Sequence, residues 1–367
     1  MRVLHVGKFY PPHHGGMERV LETLCRVSRG LVESRVLVAN ASRETVEEEV
    51  AGVHVTRIGT AGAVGSVHVA PGFVAALRRA DADLMILHEP NPWALLSYSL
   101  ARPRVPLAIW YHADVVRPAL QYALFYAPIA RAAYTRARRF VVSSPALAAN
   151  ATALTRYQDR VCVIPFGIDP APWRGGTPDE REPFVFFAGR HVPYKGIDVL
   201  LRALAGTTIR AVLAGDGPRR AAWEQLSRDL GLSGQVTFTG DVPDVELRRL
   251  MRTCSVFVLP SVTRAEAFGY VQLEAMAAST PVVSTDVPSG VSWVNENGRT
   301  GIVVRAGDPG ALREVLLRLM SDAGLRARLG AAGRARVETE FTFERLRERL
   351  RAFYEEMAVV PSFPSAC

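Results

Sequence analysis

The sequence predicts an α/β protein built from two doubly wound, Rossmann-like domains, and three observations lead to that class. The chain has 367 residues, the length of two domains at roughly 100–200 residues each. Short apolar segments alternate with helical ones, as in parallel sheets covered by helices on both faces. A segment rich in proline and glycine, residues 170–178, separates two such halves as a hinge linker would.

Each half holds the apolar segments of six or seven strands. In the first half we expect strands at 3–6, 34–38, 53–58, 84–87, 107–111, 140–142 and 161–164. In the second half we expect them at 184–187, 209–213, 236–239, 256–259, 282–284 and 301–304. A last helix is predicted over about 342–357, followed by a loose tail. Since ligands of open parallel sheets bind beyond the carboxyl ends of the strands, the loops after these strands are the candidate sites.

Composition and charge narrow the classes of function. A chain with 49% hydrophobic and 22% charged residues is an ordinary globular protein. Its net charge of +8 indicates attraction to polyanions or to an anionic membrane face. The sequence lacks an RNP motif, a zinc finger and a lysine-rich arm, so we expect no nucleic-acid partner.

The cysteines and the apolar segments indicate the compartment. Cys25, Cys162, Cys254 and Cys367 lack the spacing of a zinc site or a disulfide framework and favour a reducing environment. We find no apolar leader and no segment of about 18 apolar residues that would span a membrane. We therefore expect a cytoplasmic protein, with peripheral contact to the inner face of the membrane as an open alternative.

Only two of the 44 basic residues are lysines, Lys8 and Lys195. Both lie in glycine-rich segments, where a compact positive charge suits a phosphate group. The alternative is that both positions arose by chance.

The first loop, after strand 3–6, ends in Gly15-Gly16 before a predicted helix over 17–29. Glycines allow close approach of a ligand to the backbone, and a helix N-terminus offers free N–H groups. The pattern is typical of an anion site or of a simple turn.

The second loop runs from Gly189-Arg190 to Lys195-Gly196, between strand 184–187 and a helix that starts near Ile197. A guanidinium fork and an ammonium group in one loop could hold a diphosphate together. The alternative is two solvated cations.

The third element is Glu266-x7-Glu274, after strand 256–259. We expect Glu266 in a loop and Glu274 about one turn into the next helix. Because carboxylates accept hydrogen bonds from hydroxyl groups, one could hold a hexose and the other a ribose.

The fourth element is His112, directly after strand 107–111. It could belong to the polar apparatus of a site, although a lone histidine is more often structural.

Together these residues resemble the retaining GT-B glycosyltransferases, in particular glycosyltransferase family 4, over nearly the whole chain. The matching motifs are Pro11-Pro12-x-x-Gly15-Gly16-x-Glu18, His112, Val163-Ile164-Pro165-Phe166-Gly167-Ile168-Asp169, Gly189-Arg190, Lys195-Gly196, Ala214-Gly215-Asp216-Gly217-Pro218, Phe238-Thr239-Gly240, Pro260-Ser261, Glu266-x7-Glu274, Ala275-Met276-Ala277 and Gly298-x-Thr300-Gly301. The resemblance implies two domains that face each other across a cleft. It implies an acceptor-side domain over 1–170, a nucleotide-sugar-binding domain over 171–345, and a helix end and tail over 346–367 that pack back toward the first domain.

The resemblance also implies roles for the residues that would bind the donor's diphosphate. Gly15 and Gly16 resemble its backbone donors. Arg190 and Lys195 resemble the side chains that stabilise it as it leaves. With these cations present, and no Asp-x-Asp after a strand, the resemblance implies neither a metal ion nor a resident cofactor; the nucleotide sugar is a co-substrate.

Further roles concern the sugar and the nucleoside. Glu266, with the backbone at Phe268 and Gly269, resembles the contact to the transferred sugar, and Glu274 resembles the carboxylate that binds the ribose. His112 resembles the histidine near the C6 hydroxyl and the anomeric centre. The loop from Gly240 to Pro243 resembles the one beside the base.

One position departs from the pattern, because Phe166 stands where the junction motif commonly has asparagine. We assign no role to it. Residues 262–269 resemble bacterial mannosyl- and rhamnosyltransferases of polysaccharide assembly, which makes GDP-mannose the first expected donor and a glycan or a lipid-linked glycan the expected acceptor. Retention is expected to proceed by attack of the acceptor on the face that the leaving phosphate departs from.

Other functions stay open at this stage. A phosphorylase-like enzyme would need a lysine Schiff base to pyridoxal phosphate. A nucleotide-sugar epimerase or hydrolase of the same fold would need no acceptor, and a nucleotide-binding protein would perform no chemistry. A DNA-binding protein is disfavoured, because the arginines are spread over helices.

Residues 116–140 are a candidate membrane-docking segment. Leu120, Tyr122, Leu124, Phe125 and Tyr126 precede Arg131, Arg136, Arg138 and Arg139. Apolar and aromatic residues beside a basic cluster suit an interfacial helix. A helix buried on the sheet, with a solvated basic end, is the alternative.

Overall fold

The structure, a computed structural model, describes residues 1–13, 15–65, 67–114, 126–175 and 181–359. The chain divides into two compact units. The first comprises Met1–Ser143, Ala151–Pro165 and the last helix from Leu346; the second comprises Ser144–Asn150 and Phe166–Arg345. The main part of the second unit begins at Phe166, whereas the expected boundary lay at 170. The expected loose tail, from residue 360 onward, lies outside the described residues.

Eight strands form the sheet of the first unit. Their order is β10 (Val161–Val163), β9 (Ala137–Val142), β8 (Leu107–Tyr111), β7 (Leu84–Glu89), β1 (Arg2–Val6), β2 (Glu33–Ala39), β4 (Val53–Ile58) and β3 (Val46–Val50). All pair in parallel except β3, which is antiparallel to β4. The central strands β7 and β8 are buried along their whole length, as expected for strands covered on both faces.

Six parallel strands form the sheet of the second unit. Their order is β13 (Val236–Gly240), β12 (Arg210–Ala214), β11 (Glu182–Ala188), β14 (Cys254–Leu259), β15 (Val282–Thr285) and β16 (Gly301–Val304). Phe187, Leu213 and Val256 from this sheet share a buried core with Leu200 and Leu316 from helices. A short hairpin of β5 (Gly62–Val64) and β6 (Val67–Val69) lies apart from the eight-stranded sheet of the first unit.

Helices connect most of the strands. They are α1 (Gly16–Val27), α2 (Gly72–Arg78), α3 (Pro92–Ala101), α4 (Ala127–Tyr134), α5 (Pro145–Asn150), α6 (Ile197–Leu204), α7 (Arg220–Asp229), α8 (Asp244–Thr253), α9 (Val271–Ala277), α10 (Val291–Val294), α11 (Pro309–Ser321), α12 (Ala323–Glu340) and α13 (Phe343–Val359). In α6, Ile197, Leu200, Leu201 and Leu204 are buried, the spacing of one helix face. Asp308 caps α11, since its side chain accepts a hydrogen bond from the Ala311 N–H.

The structure confirms the predicted fold class. Every predicted strand forms, and β4, β8 and β16 have the predicted bounds. Two elements were missed. Strand β3 reads Val-Glu-Glu-Glu-Val and is largely exposed, so it shows neither an apolar run nor a buried face; the hairpin strands have only three residues each.

The candidate interfacial helix over 116–140 does not extend through its basic end. Residues 115–125, with most of its apolar members, lie outside the described residues, but Arg138 and Arg139 belong to strand β9. Arg139 forms an ion pair with Glu356 on α13, and Arg136 donates a hydrogen bond to the Pro103 carbonyl. Both contacts lie within the first unit. Among the described residues, no helix is long and apolar enough to cross a membrane.

Candidate active site

The loop after β11 carries both predicted cations of the second unit between two glycines. Gly189 and Gly196 have φ of 153° and 66°, a region that favours glycine. A Cβ on Gly196 would lie 2.0 Å from the Pro260 carbonyl oxygen, just beyond β14. The loop after β11 therefore passes so close to the end of the neighbouring strand that only glycine fits.

Lys195 and Glu266 form a buried ion pair in this unit. The Lys195 Nζ lies 2.5 Å from Glu266 Oε2, and each side chain is 11% exposed. The Ser261 hydroxyl donates to the same carboxylate oxygen at 3.1 Å. Burial disfavours the charge of Lys195, but the negative Glu266 outweighs it, and the pKa of Lys195 is raised.

Arg190 differs from Lys195 in the same loop. It is exposed, and within the described residues no hydrogen bond or ion pair of its guanidinium group is found. The loop thus presents one buried, paired cation and one cation that is available to a ligand.

Glu274 lies in the first turn of α9 and is 1% exposed, where the Glu-x7-Glu spacing predicts it. The loop before it holds Gly269 at φ 71°. A Cβ there would lie 2.7 Å from Leu259 Cδ2, so the turn also requires glycine. The side chain of Phe268 is buried, which leaves its backbone as the part that could face a ligand.

The structure accounts for Phe166, the residue that departs from the family pattern. Its ring lies 4.9 Å from the ring of Phe268 and 6.4 Å from that of Tyr270, centroid to centroid. The Tyr270 hydroxyl donates to the Gly167 carbonyl oxygen at 2.7 Å. An apolar ring therefore supports the loop that carries Glu266.

Three glycines meet at the carboxyl ends of β11, β12 and β13. The Gly189 N–H donates to the Ala214 carbonyl, and the Gly215 N–H donates to the Gly240 carbonyl at 2.8 Å. A Cβ on Gly215, which has φ 113°, would lie 2.2 Å from the Gly189 carbonyl oxygen. The backbones touch here, and the name glycine seam is used below for Gly189, Gly215 and Gly240.

The predicted anion loop of the first unit ends at helix α1. Gly15 is its N-cap, in an extended conformation, and no side chain caps the helix there. A Cβ on Gly15 would lie 2.2 Å from Glu18 Oε2, so the Glu18 carboxylate lies over Gly15. Any anion at Gly15 and Gly16 has to compete with this carboxylate or displace it.

His112 ends a chain of three buried histidines in the first unit. Its Nε2 lies 2.9 Å from His88 Nδ1, and His88 Nε2 lies 3.1 Å from His5 Nδ1. The three residues are 6%, 1% and 0% exposed, respectively. Burial lowers the pKa of His112 to about 3 and that of His5 to about 4, and it lowers the pKa of His88 well below its ordinary value. All three imidazoles are therefore neutral near pH 7.

Sequence reasoning missed His5 and His88, and it also missed Glu89. Glu89 ends β7, is fully buried, accepts a hydrogen bond from the Tyr126 hydroxyl and has its pKa raised to about 8 by burial. The available signal was position: His5 lies within the predicted strand 3–6, and His88 and Glu89 directly follow the predicted strand 84–87.

The predicted site residues fall into two sets. Gly15, Gly16 and His112 belong to the first unit, and the remaining predicted site residues, from Arg190 to Glu274, belong to the second. Within the second set, the structure shows direct contact of Lys195 with Glu266. Among the described residues, no group of three or more His, Cys, Asp or Glu side chains could hold a metal ion.

Comparisons with known proteins agree with the two-part organisation. Residues 15–167 match the family described as a glycosyl transferase 4-like domain, and residues 174–336 match glycosyl transferases group 1. The chain is 30% identical over 363 residues to O-antigen chain mannosyltransferase C of Escherichia coli, covering 94% of this chain and 96% of the relative. It is also 30% identical over 354 residues to D-rhamnosyltransferase WbpZ of Pseudomonas aeruginosa, covering 93% and 92%.

A solved structure agrees in fold. Sucrose-phosphate synthase from Thermosynechococcus elongatus superposes with a TM-score of 0.81 at 22% identity, covering 97% of this chain and 98% of that one. At this identity the likeness concerns the fold alone. It confirms the predicted GT-B class, two Rossmann-like domains with parallel sheets.

Proposed function

Because this chain belongs to the group 1 glycosyltransferases, we propose that it transfers a mannosyl residue from GDP-mannose to a hydroxyl group of a glycan or lipid-linked glycan, with retention of configuration. That it is a glycosyltransferase is the premise. The donor, the acceptor and the stereochemistry are the proposal.

The contact between Lys195 and Glu266 supports the part of this proposal that concerns a nucleotide-sugar donor. In a nucleotide sugar, the anomeric carbon is bonded directly to a phosphate oxygen. A cation for the phosphate and a carboxylate for the sugar hydroxyls must therefore lie within about one sugar ring of each other. Lys195 Nζ and Glu266 Oε2 lie 2.5 Å apart, well within one sugar ring. They lie in the loops that follow the neighbouring strands β11 and β14.

The chemistry follows from the charges. When the bond from the anomeric carbon to the phosphate breaks, negative charge grows on the diphosphate and positive charge on the sugar. Lys195 and Arg190 would stabilise the first, and each well-placed donor is worth roughly 3–4 kcal/mol by analogy with an oxyanion hole. The carboxylate of Glu266 would hold sugar hydroxyls and favour the developing positive charge. Glu274, one turn into α9, would accept hydrogen bonds from the ribose.

The choice of GDP-mannose is supported by the relatives, whose names are those of a mannosyltransferase and a D-rhamnosyltransferase. Retention is supported by the resemblance to family 4. The donor is tested by supplying the purified protein with GDP-mannose, GDP-rhamnose, UDP-glucose and UDP-N-acetylglucosamine, and by measuring release of the nucleoside diphosphate. Preference for a UDP-sugar would overturn the proposed donor and leave the transferase premise intact.

Acceptor and stereochemistry need a second step. Lipid-linked and soluble glycans are supplied with the preferred donor, and the product is analysed by mass spectrometry and by the one-bond C1–H1 coupling of the new linkage. An α-linked product from an α-linked donor supports retention; a β-linked product contradicts it.

A matched pair of variants tests the role of Glu266. Glu266→Gln keeps the shape but removes the charge that pairs with Lys195, whereas Glu246→Gln removes a carboxylate that pairs with Arg249 on the exposed surface of α8. We expect a large loss of turnover in the first variant and an unchanged rate in the second. Equal rates would remove Glu266 from the mechanism.

A further inference from the structure

The three buried histidines of the first unit lie on one diagonal line across its sheet. His5 of β1 is in register with Ile86 of β7, and His88 lies two residues beyond Ile86. His88 is in register with Trp110 of β8, and His112 lies two residues beyond Trp110. Because residues two apart in a strand point to the same face, the three imidazoles share a face and step toward the carboxyl edge.

The hydrogen bonds along this line restrict where the protons lie. A neutral imidazole has one N–H donor and one acceptor nitrogen. In the two contacts, His5 Nδ1 meets His88 Nε2, and His88 Nδ1 meets His112 Nε2. If one ring carries its proton on Nδ1, both neighbours must do so as well. The chain therefore has two self-consistent states, with all three protons on Nδ1 or all three on Nε2.

The inner end of the line distinguishes these two states. His5 Nε2 is buried and has no hydrogen-bond partner among the described residues. In the Nε2 state it would be a buried N–H without an acceptor, and in the Nδ1 state it is a lone pair without a donor. Among buried backbone groups, a donor without a partner is rarer than an acceptor without one, and the same ordering applied to His5 favours the Nδ1 state.

We infer that His5 and His88 are positioning residues that hold His112 as the neutral Nδ1–H tautomer, so that its Nδ1 is a hydrogen-bond donor at the carboxyl edge of the sheet. The tautomer of a histidine is set by the bond that its other nitrogen makes. The stacking of His88 on Trp110, with ring planes 12° apart, fixes the ring that transmits this choice. An Nδ1–H that is fixed as a donor can hydrogen-bond an oxygen atom of a sugar or a phosphate, but not another N–H group.

This inference rests on the proposed function only for the identity of the group that His112 contacts. The tautomers themselves are independent of activity. They are measured by long-range ¹H–¹⁵N NMR on histidine-labelled protein, which has eight histidines, at pH 7. We expect protonated Nδ1 and unprotonated Nε2 for His5, His88 and His112 alike. Mixed tautomers, or three protons on Nε2, would overturn the inference without any variant.

Variants then test the effect on His112. His88→Phe keeps a ring beside Trp110 and removes both nitrogens, and His88→Asn returns an amide near the position of Nδ1. We expect His112 to populate both tautomers in His88→Phe and kcat to fall about 10–100-fold, by analogy with the loss of residues that orient metal ligands, with a smaller change in KM. His88→Asn should recover part of kcat. The control His54→Gln removes an exposed imidazole of β4 and should change neither quantity.

The outcomes separate the two claims. If the wild-type protein turns over no nucleotide sugar but shows the three matched tautomers, the proposed function fails and the histidine chain stands. If turnover is normal in a folded His88→Phe protein, or the tautomer of His112 does not change, the positioning role is wrong and the proposed function stands.

Discussion

The two units of this protein build their polar centres in opposite ways. In the second unit, Lys195 and Glu266 form an ion pair in which both side chains are largely buried. In the first unit, His5, His88 and His112 are fully buried or nearly so, and burial keeps them neutral. A buried charge has to be paired, whereas a buried neutral group needs only its hydrogen bonds. The second centre is therefore suited to charge that develops during a reaction, and the first to fixed orientation.

The largest expected effect breaks the charged centre. Lys195→Met should lower turnover at least about a hundredfold, because it removes a donor to the leaving diphosphate. It should also lower the unfolding temperature, because Glu266 loses its buried partner. The double variant Lys195→Met with Glu266→Gln should regain thermal stability but not turnover.

The matched control is Arg249→Met with Glu246→Gln, an exposed pair of a kind worth about 0–1 kcal/mol. It should leave turnover and stability nearly unchanged. Normal turnover in a folded Lys195→Met protein would show that the second centre is structural, and the contrast between the units would disappear.

The next effect concerns the neutral centre and its neighbour Glu89, whose pKa is raised to about 8. A carboxyl group whose folded pKa exceeds its unfolded value stabilises the fold below the unfolded pKa, and this contribution is lost as pH rises toward 8. Relative to Glu89→Gln, the wild-type protein should therefore lose about 1 kcal/mol of stability between pH 6 and pH 7. Urea unfolding of both proteins at the two pH values measures the difference.

The contribution of the histidines to folding stability depends on pH in the opposite direction. Their folded pKa values are lowered, so their contribution is present above the unfolded value near 6.5 and is lost as pH falls toward 4 and 3. Replacing Glu89 should not alter this acid limb. A stability difference between the wild-type protein and Glu89→Gln that does not change from pH 6 to pH 7 would mean that Glu89 is ionised, and that this centre is not neutral.

A smaller expected effect is binding of the first unit to membranes through its positive surface charge. We propose peripheral contact with an anionic membrane, since a surface cation is worth about 1 kcal/mol near anionic lipid. Co-sedimentation with vesicles that contain anionic phospholipid should increase at low salt, and vesicles of neutral lipid should not bind. The structure places Arg136 and Arg139 in internal contacts, so the effect should depend on other cations, and Arg131→Gln should weaken it. Absence of binding to anionic vesicles at low salt would contradict the proposal.

The smallest expected effect is that of metal removal. If Lys195 and Arg190 supply the positive charge for the diphosphate, excess EDTA should leave initial rates nearly unchanged. Complete loss of activity that magnesium or manganese restores would show that the charged centre lacks a component.

The charged centre of the second unit could be predicted from the sequence better than the histidine chain of the first. The charged centre lies in two loops, and each loop has a recognisable local spacing: Gly-Arg with Lys-Gly, and Glu-x7-Glu. The placement of Glu274 within α9 followed from that spacing. The contact of Lys195 with Glu266 did not, because it depends on β11 and β14 being neighbours although two strands lie between them in the sequence.

The histidine chain could not be predicted, because it depends on the register of β1, β7 and β8. Shifting one strand by a single residue would turn its histidine to the other face. Strand β3 was missed for a related reason. Its own sequence has no strand pattern, and it is a strand because it pairs with β4. Phe166 was identified as a departure, but its packing on Phe268 is a tertiary contact.

The glycine seam has a consequence for engineering donor choice. A methyl group on Gly215 would meet the Gly189 backbone, and one on Gly240 would meet the end of the Arg220 side chain. All three positions have φ in the region that favours glycine. Substitution at any of the three is therefore expected to strain the backbone. If these turns border the nucleotide, as the proposed function implies, donor preference is better altered through the neighbouring side chains, such as Asp216 and Asp241, than through the glycines themselves.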